Sequence, residues 1–343
     1  MSTHLNRRDF LGHAAGGAAA VGALGSVFAP TLSAQGPGAR QPNVAGIGLQ
    51  LYTVRSLVDQ DIVQTLESVA KVGYKVVEFA GYGKRTHAEI RAALDKLGMT
   101  APSAHISLNV LRKELDAQVT IAQTIGHRYI TVPSLGGDMP VTADGWKKMA
   151  AEFNQIGTKL QAKKIGLAFH SHRDEFMDVG GGKKGMDIFI GETDPKLVTF
   201  EIDLGWSWVA NQNPVDWMKR YPGRVKMWHV KDILALKAAQ DRQMEVFKNP
   251  PPAAPPVVQA TQVTPQGVAS APATPPATPP PPAVTGGPVP VGAGEIDFKP
   301  IFAEWKVSGL EYFFVEQDSG PTWPGGPLAA ISTSYRNLVN ILS

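Results

Sequence analysis

The chain contains no cysteine among its 343 residues. That absence excludes disulfide staples, thiolate nucleophiles and cysteine-based zinc or iron–sulfur centres, so any metal must be held by His, Asp and Glu. A basic excess is missing too. There are 33 basic against 30 acidic groups, and the formal charge of +3 is far from that of a dedicated nucleic-acid binder. No Gly-rich nest or Arg/Lys cluster stands at a helix start, which removes the usual phosphate cradles. Apolar residues, by contrast, make up 43% of the chain, and its length suits one α/β barrel of roughly 250 residues with additions.

Two segments read as lying outside the folded body. Residues 1–34 carry Asn6-Arg7-Arg8-Asp9-Phe10-Leu11, a small-apolar run and then Thr31-Leu32-Ser33-Ala34. This resembles a twin-arginine signal peptide with a cleavage site. The run is Gly/Ala-rich and only modestly apolar, which fits a cleaved signal better than a stable membrane span; a retained N-terminal anchor is the alternative. The expectation is a protein passed to the twin-arginine (Tat) export machinery and released as a periplasmic or exported protein. Losing Arg7, Arg8 and Asp9 lowers the formal charge by only one. Residues 249–292 hold 15 of the 28 prolines, and no charged residue lies between Lys248 and Glu295. Such Pro/Ala/Thr sequence is expected to be a disordered insertion, either passive or a tether.

The remainder, 45–343, alternates β-branched or aromatic runs with amphipathic stretches. Eight strands are expected at 47–52, 75–79, 101–106, 129–132, 165–170, 198–203, 225–229 and 312–316. Helical pieces are expected at 62–72, 86–97, 110–125, 143–163, 186–190, 215–221, 298–308 and 327–342, with the insertion between strand 7 and helix 7. Eight βα units imply a (β/α)8 TIM barrel, and a doubly wound sheet is the alternative.

A barrel of this kind works at the carboxyl ends of its strands. Here those ends read Glu78, His105, His170-Ser171-His172, Asp203, His229-Val230-Lys231-Asp232 and Glu316-Gln317-Asp318. A carboxylate that follows an apolar run is costly to bury without a cation. Asp203, His229 and Glu316 therefore point to a divalent ion, with oxygen and imidazole donors suited to manganese, magnesium, cobalt or zinc. Each residue has a structural rival: Asp203 as the cap of the following turn, His229 as a core histidine, Glu316 as a partner of Lys231, and Lys231 with Asp232 as a surface ion pair.

The motifs Leu49-Gln50-Leu51-Tyr52-Thr53-Val54-Arg55, Gly73-Tyr74-Lys75-Val76-Val77-Glu78-Phe79, Phe169-His170-Ser171-His172-Arg173-Asp174-Glu175-Phe176, Ile202-Asp203-Leu204-Gly205-Trp206, His229-Val230-Lys231-Asp232, Gly292-Ala293-Gly294-Glu295-Ile296-Asp297-Phe298 and Val315-Glu316-Gln317-Asp318 resemble, in this order, the sugar phosphate isomerase/epimerase family of xylose-isomerase-like barrels. The resemblance implies a metal held by a carboxylate near strand 5, an aspartate after strand 6, a histidine after strand 7 and a glutamate after strand 8. Asp203, His229 and Glu316 carry over. The strand-5 ligand is expected at Glu175, ahead of His170 or His172, because Ala168 stands where many members place a glutamate.

The same resemblance implies an enzyme that removes a proton next to a sugar carbonyl, with a lyase on oxidised glycosides as a close relative. Glu316 is the expected base, Glu175 or His172 the proton donor, and Lys231 the stabiliser of developing charge. Arg55, Glu78, His105, His170 and Trp206 would contact the carbohydrate. Folding before export would load the ion in the cytoplasm, which favours manganese. The alternatives are a catalytically silent sugar-binding or accessory protein and, against the near-neutral charge, a metal-dependent endonuclease.

Overall fold

The computed structural model describes residues 46–249 and 286–343. The expected signal and most of the expected insertion, from residue 250 to 285, lie outside the described residues. Eight parallel strands close into a barrel: β1 (Ile47–Gln50), β2 (Val76–Phe79), β3 (Thr100–His105), β4 (Tyr129–Val132), β5 (Gly166–Ser171), β6 (Val198–Asp203), β7 (Val225–Val230) and β10 (Tyr312–Val315). These are the eight runs read from the sequence. Between β7 and β10, two short strands, β8 (Asp232–Leu234) and β9 (Gly287–Val289), pair antiparallel at the mouth.

Around the barrel run α1 (Arg55–Val72), α2 (His87–Leu97), α3 (Leu108–Ile125), α4 (Ala143–Gln161), α5 (Gly185–Glu192), α6 (Leu204–Val209), α7 (Pro214–Arg220), α8 (Leu236–Lys248), α9 (Lys299–Ala303), α10 (Trp305–Ser308) and α11 (Gly326–Ile341). The helix expected from residue 62 is the second half of α1. Asp61 breaks α1 with extended backbone (φ −159°, ψ 111°) and caps the next turn, its Oδ1 accepting from the amide of Val63 at 2.8 Å. The helix expected over 298–308 is divided at Glu304 into α9 and α10. Among the described residues no helix is long and apolar enough to cross a membrane.

Strand alternation sorts the core into two regions. Leu49, Val77, Phe79, Ile130, Phe169, Phe200, Ile202, Trp228, Val230, Phe313 and Val315 face the helices. Their neighbours Val76, Tyr129, Ala168, Met227, Tyr312 and Phe314 form a separate apolar plug inside the barrel. The next residues of the same inward rows, two positions on, are polar: Glu78, Thr131, His170, His229 and Glu316, all buried.

The mouth beside β7 is tied down by one carboxylate. Asp232 accepts from the amides of Ile233, Gly292, Gly294 and Ile296 at 2.8–3.2 Å. Gly294 has to be glycine there, since a Cβ would lie 2.2 Å from Asp232 Oδ1. The returning chain also starts α8. Glu295 accepts from the amides of Ala235 and Leu236 at 2.8 and 3.1 Å, supplying from about sixty residues away the cap that the local sequence lacks.

Candidate active site

The register of the strands decides which polar side chains meet. Asp203 on β6 lies beside His229 on β7, His229 lies beside Phe314 on β10, His170 on β5 lies beside Glu201 on β6, and Gln50 on β1 lies beside Glu78 on β2. The inward rows thus stack two polar tiers above the apolar plug. The lower tier holds Gln50, Glu78, His105 and Glu201, and the upper tier holds Asp203, Lys231, Glu316 and Asp318. His170 and His229 stand between them, with ring centroids 4.2 Å apart.

In the lower tier Glu78 Oε2 accepts from Gln50 Nε2 at 2.7 Å and meets His229 Nε2 at 2.7 Å and His105 Nε2 at 3.2 Å. Glu201 Oε2 lies 3.0 Å from His105 Nε2, 3.1 Å from His170 Nδ1 and 3.2 Å from His229 Nε2. In the upper tier Lys231 Nζ sits 2.9 Å from Asp203 Oδ2, 2.9 Å from Glu316 Oε2 and 2.7 Å from Asp318 Oδ2. His229 Nδ1 reaches Glu316 Oε2 at 2.9 Å and joins the tiers.

All of these groups except Asp318 and, slightly, His105 and Glu316 are out of contact with water, so their charges are set by one another. Burial raises the Glu78 carboxyl, but His105 and His229 outweigh it and hold the group well below the usual carboxylate range. Burial lowers His105, and Glu78 with Glu201 more than reverse this, raising it to about 9. Burial, then the Lys231 charge, lowers His172 to about 3, while burial, then His229, drives His170 well down. These two imidazoles are neutral at pH 7 and keep a lone pair. Asp203 is pushed up by burial against the pull of Lys231.

Donor atoms of His170, Asp203, His229 and Glu316 all lie within 4.8 Å of one another; so do those of His105, His170, Glu201 and His229. The first set fits a divalent ion: two imidazoles and two carboxylates are borderline donors, and the buried Asp203 Oδ2 already meets a cation, Lys231 Nζ at 2.9 Å. Lys231 already shows that positive charge is favoured at that point.

A family model described as xylose isomerase-like TIM barrel matches residues 66–332. The chain belongs to the xylose isomerase-like TIM barrel family. An inosose dehydratase of Clostridium perfringens is 23% identical over 279 residues, covering 75% of this chain and 82% of that protein. Among solved structures, a sugar phosphate isomerase/epimerase from Parabacteroides distasonis superposes with a TM-score of 0.63 at 21% identity, over 87% of this chain and 99% of that one. The IolI protein with a bound zinc atom gives 0.60 at 12% identity, over 87% and 98%. At these identities the solved structures share the fold.

Within this xylose isomerase-like barrel the residues singled out from the sequence are placed as follows. Asp203, His229 and Glu316 meet, and His170 completes their set. Glu175 is in neither donor set; it is buried in the loop after β5, where its Oε2 accepts from the His172 amide at 3.0 Å and burial raises its carboxyl to about 7. The His172 ring stands edge-on to His170, 4.6 Å away. Glu78 and His105 belong to the lower tier.

Arg55 lies at the rim, 4.1 Å over the Tyr52 ring and donating to the Asp318 carbonyl at 3.0 Å. Trp206 has Arg173 at 5.0 Å and Lys231 Nζ at 4.9 Å from its ring. Two of the structural rivals are present together with the cluster: Asp203 Oδ1 caps α6 through the Trp206 amide, and Glu316 pairs with Lys231. Lys231 and Asp232 do not pair, because successive residues point to opposite sides. Sequence reasoning passed over Glu201 and gave Asp318 no role. Glu201 had a signal, since it stands two residues before Asp203 and so on the same inward row.

Proposed function

We propose that the chain is a divalent-metal-dependent sugar-processing enzyme that removes a proton next to a carbonyl, as an isomerase or epimerase or as a lyase on a keto-glycoside. The observation that carries this reading is the buried set His170, Asp203, His229 and Glu316 at one barrel mouth, with Lys231 against two of its carboxylates. The names of the relatives support it. Dehydration and epimerisation of a carbonyl sugar share a first step, loss of the proton beside the carbonyl.

His170, Asp203, His229 and Glu316 would hold a divalent ion, which would supply Lewis acidity toward a carbonyl oxygen. Glu316 takes the proton in this reading, Lys231 neutralises charge that develops beside it, and Glu175, whose buried carboxyl holds its proton up to about pH 7, is the returning acid. The Trp206 ring, half-buried, offers an apolar face to a sugar, and Arg55 and Tyr52 mark the opposite part of the rim. The reading includes manganese as the native ion and export by the twin-arginine route, supported by Arg7-Arg8 and the small-apolar run after them.

The test is a screen of keto-sugars and keto-glycosides in deuterated water with manganese, magnesium, cobalt or zinc, followed by NMR. Deuterium entering one sugar carbon is the expected result. Binding of a sugar without exchange under any metal would replace the enzyme by an accessory sugar-binding protein. Changing Arg7 and Arg8 to Lys should keep the protein in the cytoplasm.

A further inference from the structure

The two donor sets share His170 and His229, and this sharing limits what they can do. A neutral imidazole has one lone pair, so filling both sets at once would require His170 and His229 each to lose both ring protons. One set therefore binds, and the other must keep protons on the nitrogens that face it. The lower set is the one already engaged. Glu201 Oε2 hydrogen-bonds His105 Nε2 at 3.0 Å and lies 3.1 Å from Nδ1 of His170, which has no aligned hydrogen bond, and 3.2 Å from Nε2 of His229, while Glu78 Oε2 hydrogen-bonds the same His229 Nε2 at 2.7 Å. The remaining nitrogen of His229, Nδ1, points to Glu316 at 2.9 Å.

We infer that Glu201, assisted by Glu78, is a positioning residue that fixes opposite tautomers on the two histidines, presenting Nε2 of His170 and Nδ1 of His229 to one divalent ion. A carboxylate behind a ligating imidazole fixes its orientation and raises its basicity, and loss of such a partner costs about 10- to 100-fold in metal affinity. Here one carboxylate serves two ligands on the strands that flank its own, His170 on β5 and His229 on β7, and β5 and β6 put His170 directly beside Glu201. The two glutamates bury completely with an unpartnered Oε1 each, a cost that a purely structural layer would avoid with amides or apolar residues. Glu201 acts through the histidines and does not itself touch the ion.

This inference rests on the metal-enzyme reading above, and the following experiment separates their failures. The full chain, labelled with ¹⁵N in histidine, is loaded with ¹¹³Cd²⁺ alone, and the cadmium–nitrogen couplings are read by NMR. Coupling to Nε2 of His170 and Nδ1 of His229 is the expected pattern. Coupling to Nε2 of His229 together with His105 would place the ion in the lower tier and overturn the inference while keeping a metal protein. Absence of any bound cadmium overturns both.

Glu201→Gln, checked for fold by circular dichroism, should weaken cadmium affinity by about 10- to 100-fold and broaden or shift the ¹⁵N signals of both histidines, with Glu78→Gln disturbing His229 but not His170. Unchanged affinity and unchanged imidazole signals in Glu201→Gln would also overturn it. The coupling pattern of the unmutated chain needs no variant, so misfolding of Glu201→Gln does not remove the test.

Discussion

Lys231 Nζ and Asp203 Oδ2 stand 2.9 Å apart with both side chains fully buried. The pair joins β6 to the end of β7, and the ammonium also touches Glu316 and Asp318. Removing one partner of a buried ion pair leaves an uncompensated charge, at a cost of about 3–5 kcal/mol. Lys231→Met, which keeps the length of the stem, should therefore lower the melting temperature sharply in chelator. A divalent ion replaces part of the lost charge, so manganese or zinc should recover much of that loss. Equal melting of both proteins in chelator would show that the pair stabilises nothing.

Glu316 is held by Lys231 and His229, each at 2.9 Å, and the amide of Glu316→Gln can neither accept a proton from substrate nor balance the ammonium. The variant should remain folded and lose nearly all turnover, on the order of 10²- to 10⁴-fold, the range of a missing general base. Substantial residual deuterium exchange at the sugar carbon would move the base to another residue, with His172 the first candidate by position.

Gly205 opens α6 against the backbone of Lys231, and a Cβ there would meet Lys231 O at 2.8 Å and its Cβ and Cγ at 3.0 Å. Gly205→Ala should cost about 1–3 kcal/mol, because backbone, unlike a flexible side chain, cannot step aside. In α5, Gly191 faces open space, so Gly191→Ala should be neutral or stabilising by up to about 1 kcal/mol. Urea titrations of the two variants measure the contrast directly; equal effects would mean that Lys231 is not fixed by this contact.

The alternation of strand and helix was enough to locate all eight barrel strands, since most of them bury both faces and read as apolar runs, and the β3 run Thr100–His105 is placed by its position between two helical stretches. The strand-end rule likewise led to Asp203, His229 and Glu316. Other features escaped for physical reasons. The start of α8 is capped by Glu295, far along the chain, so no local signal marks it. Glu201 sits inside a strand whose neighbours Phe200 and Ile202 read as core, and only the period of two sets it on the inner face. His170 and Glu175 lie five residues apart, one at the expected strand end and one in the loop after it, and only the folded loop shows that the His170 ring, not the Glu175 carboxylate, comes within reach of the triad. The pairing of Lys231 with Glu316 was legible as an alternative, but its other carboxylates, Asp203 at the end of β6 and Asp318 in the loop after β10, are brought to it only by the register of the strands.

Glu175 offers a pH test. Burial raises its carboxyl from 4.5 to about 7, with Asp174 a smaller contribution and the amide bond from His172 opposing. Between those two values the folded chain keeps a proton that the unfolded chain has released, so folding becomes less favourable as the pH rises. The stabilisation linked to this proton is complete below about pH 4.5 and is lost as the pH passes through 7. At about 1.4 kcal/mol per pH unit the total is on the order of 3 kcal/mol. Glu175→Gln mimics the protonated acid, can still accept from the His172 amide and has no proton to lose. Its stability relative to the unmutated chain should therefore grow from pH 4 to pH 8. Other titrating groups are common to both proteins and cancel in the difference, which urea unfolding in chelator measures. A difference that stays constant across that range would mean that Glu175 is solvated in solution, and its candidacy as a proton carrier near neutral pH would go with it.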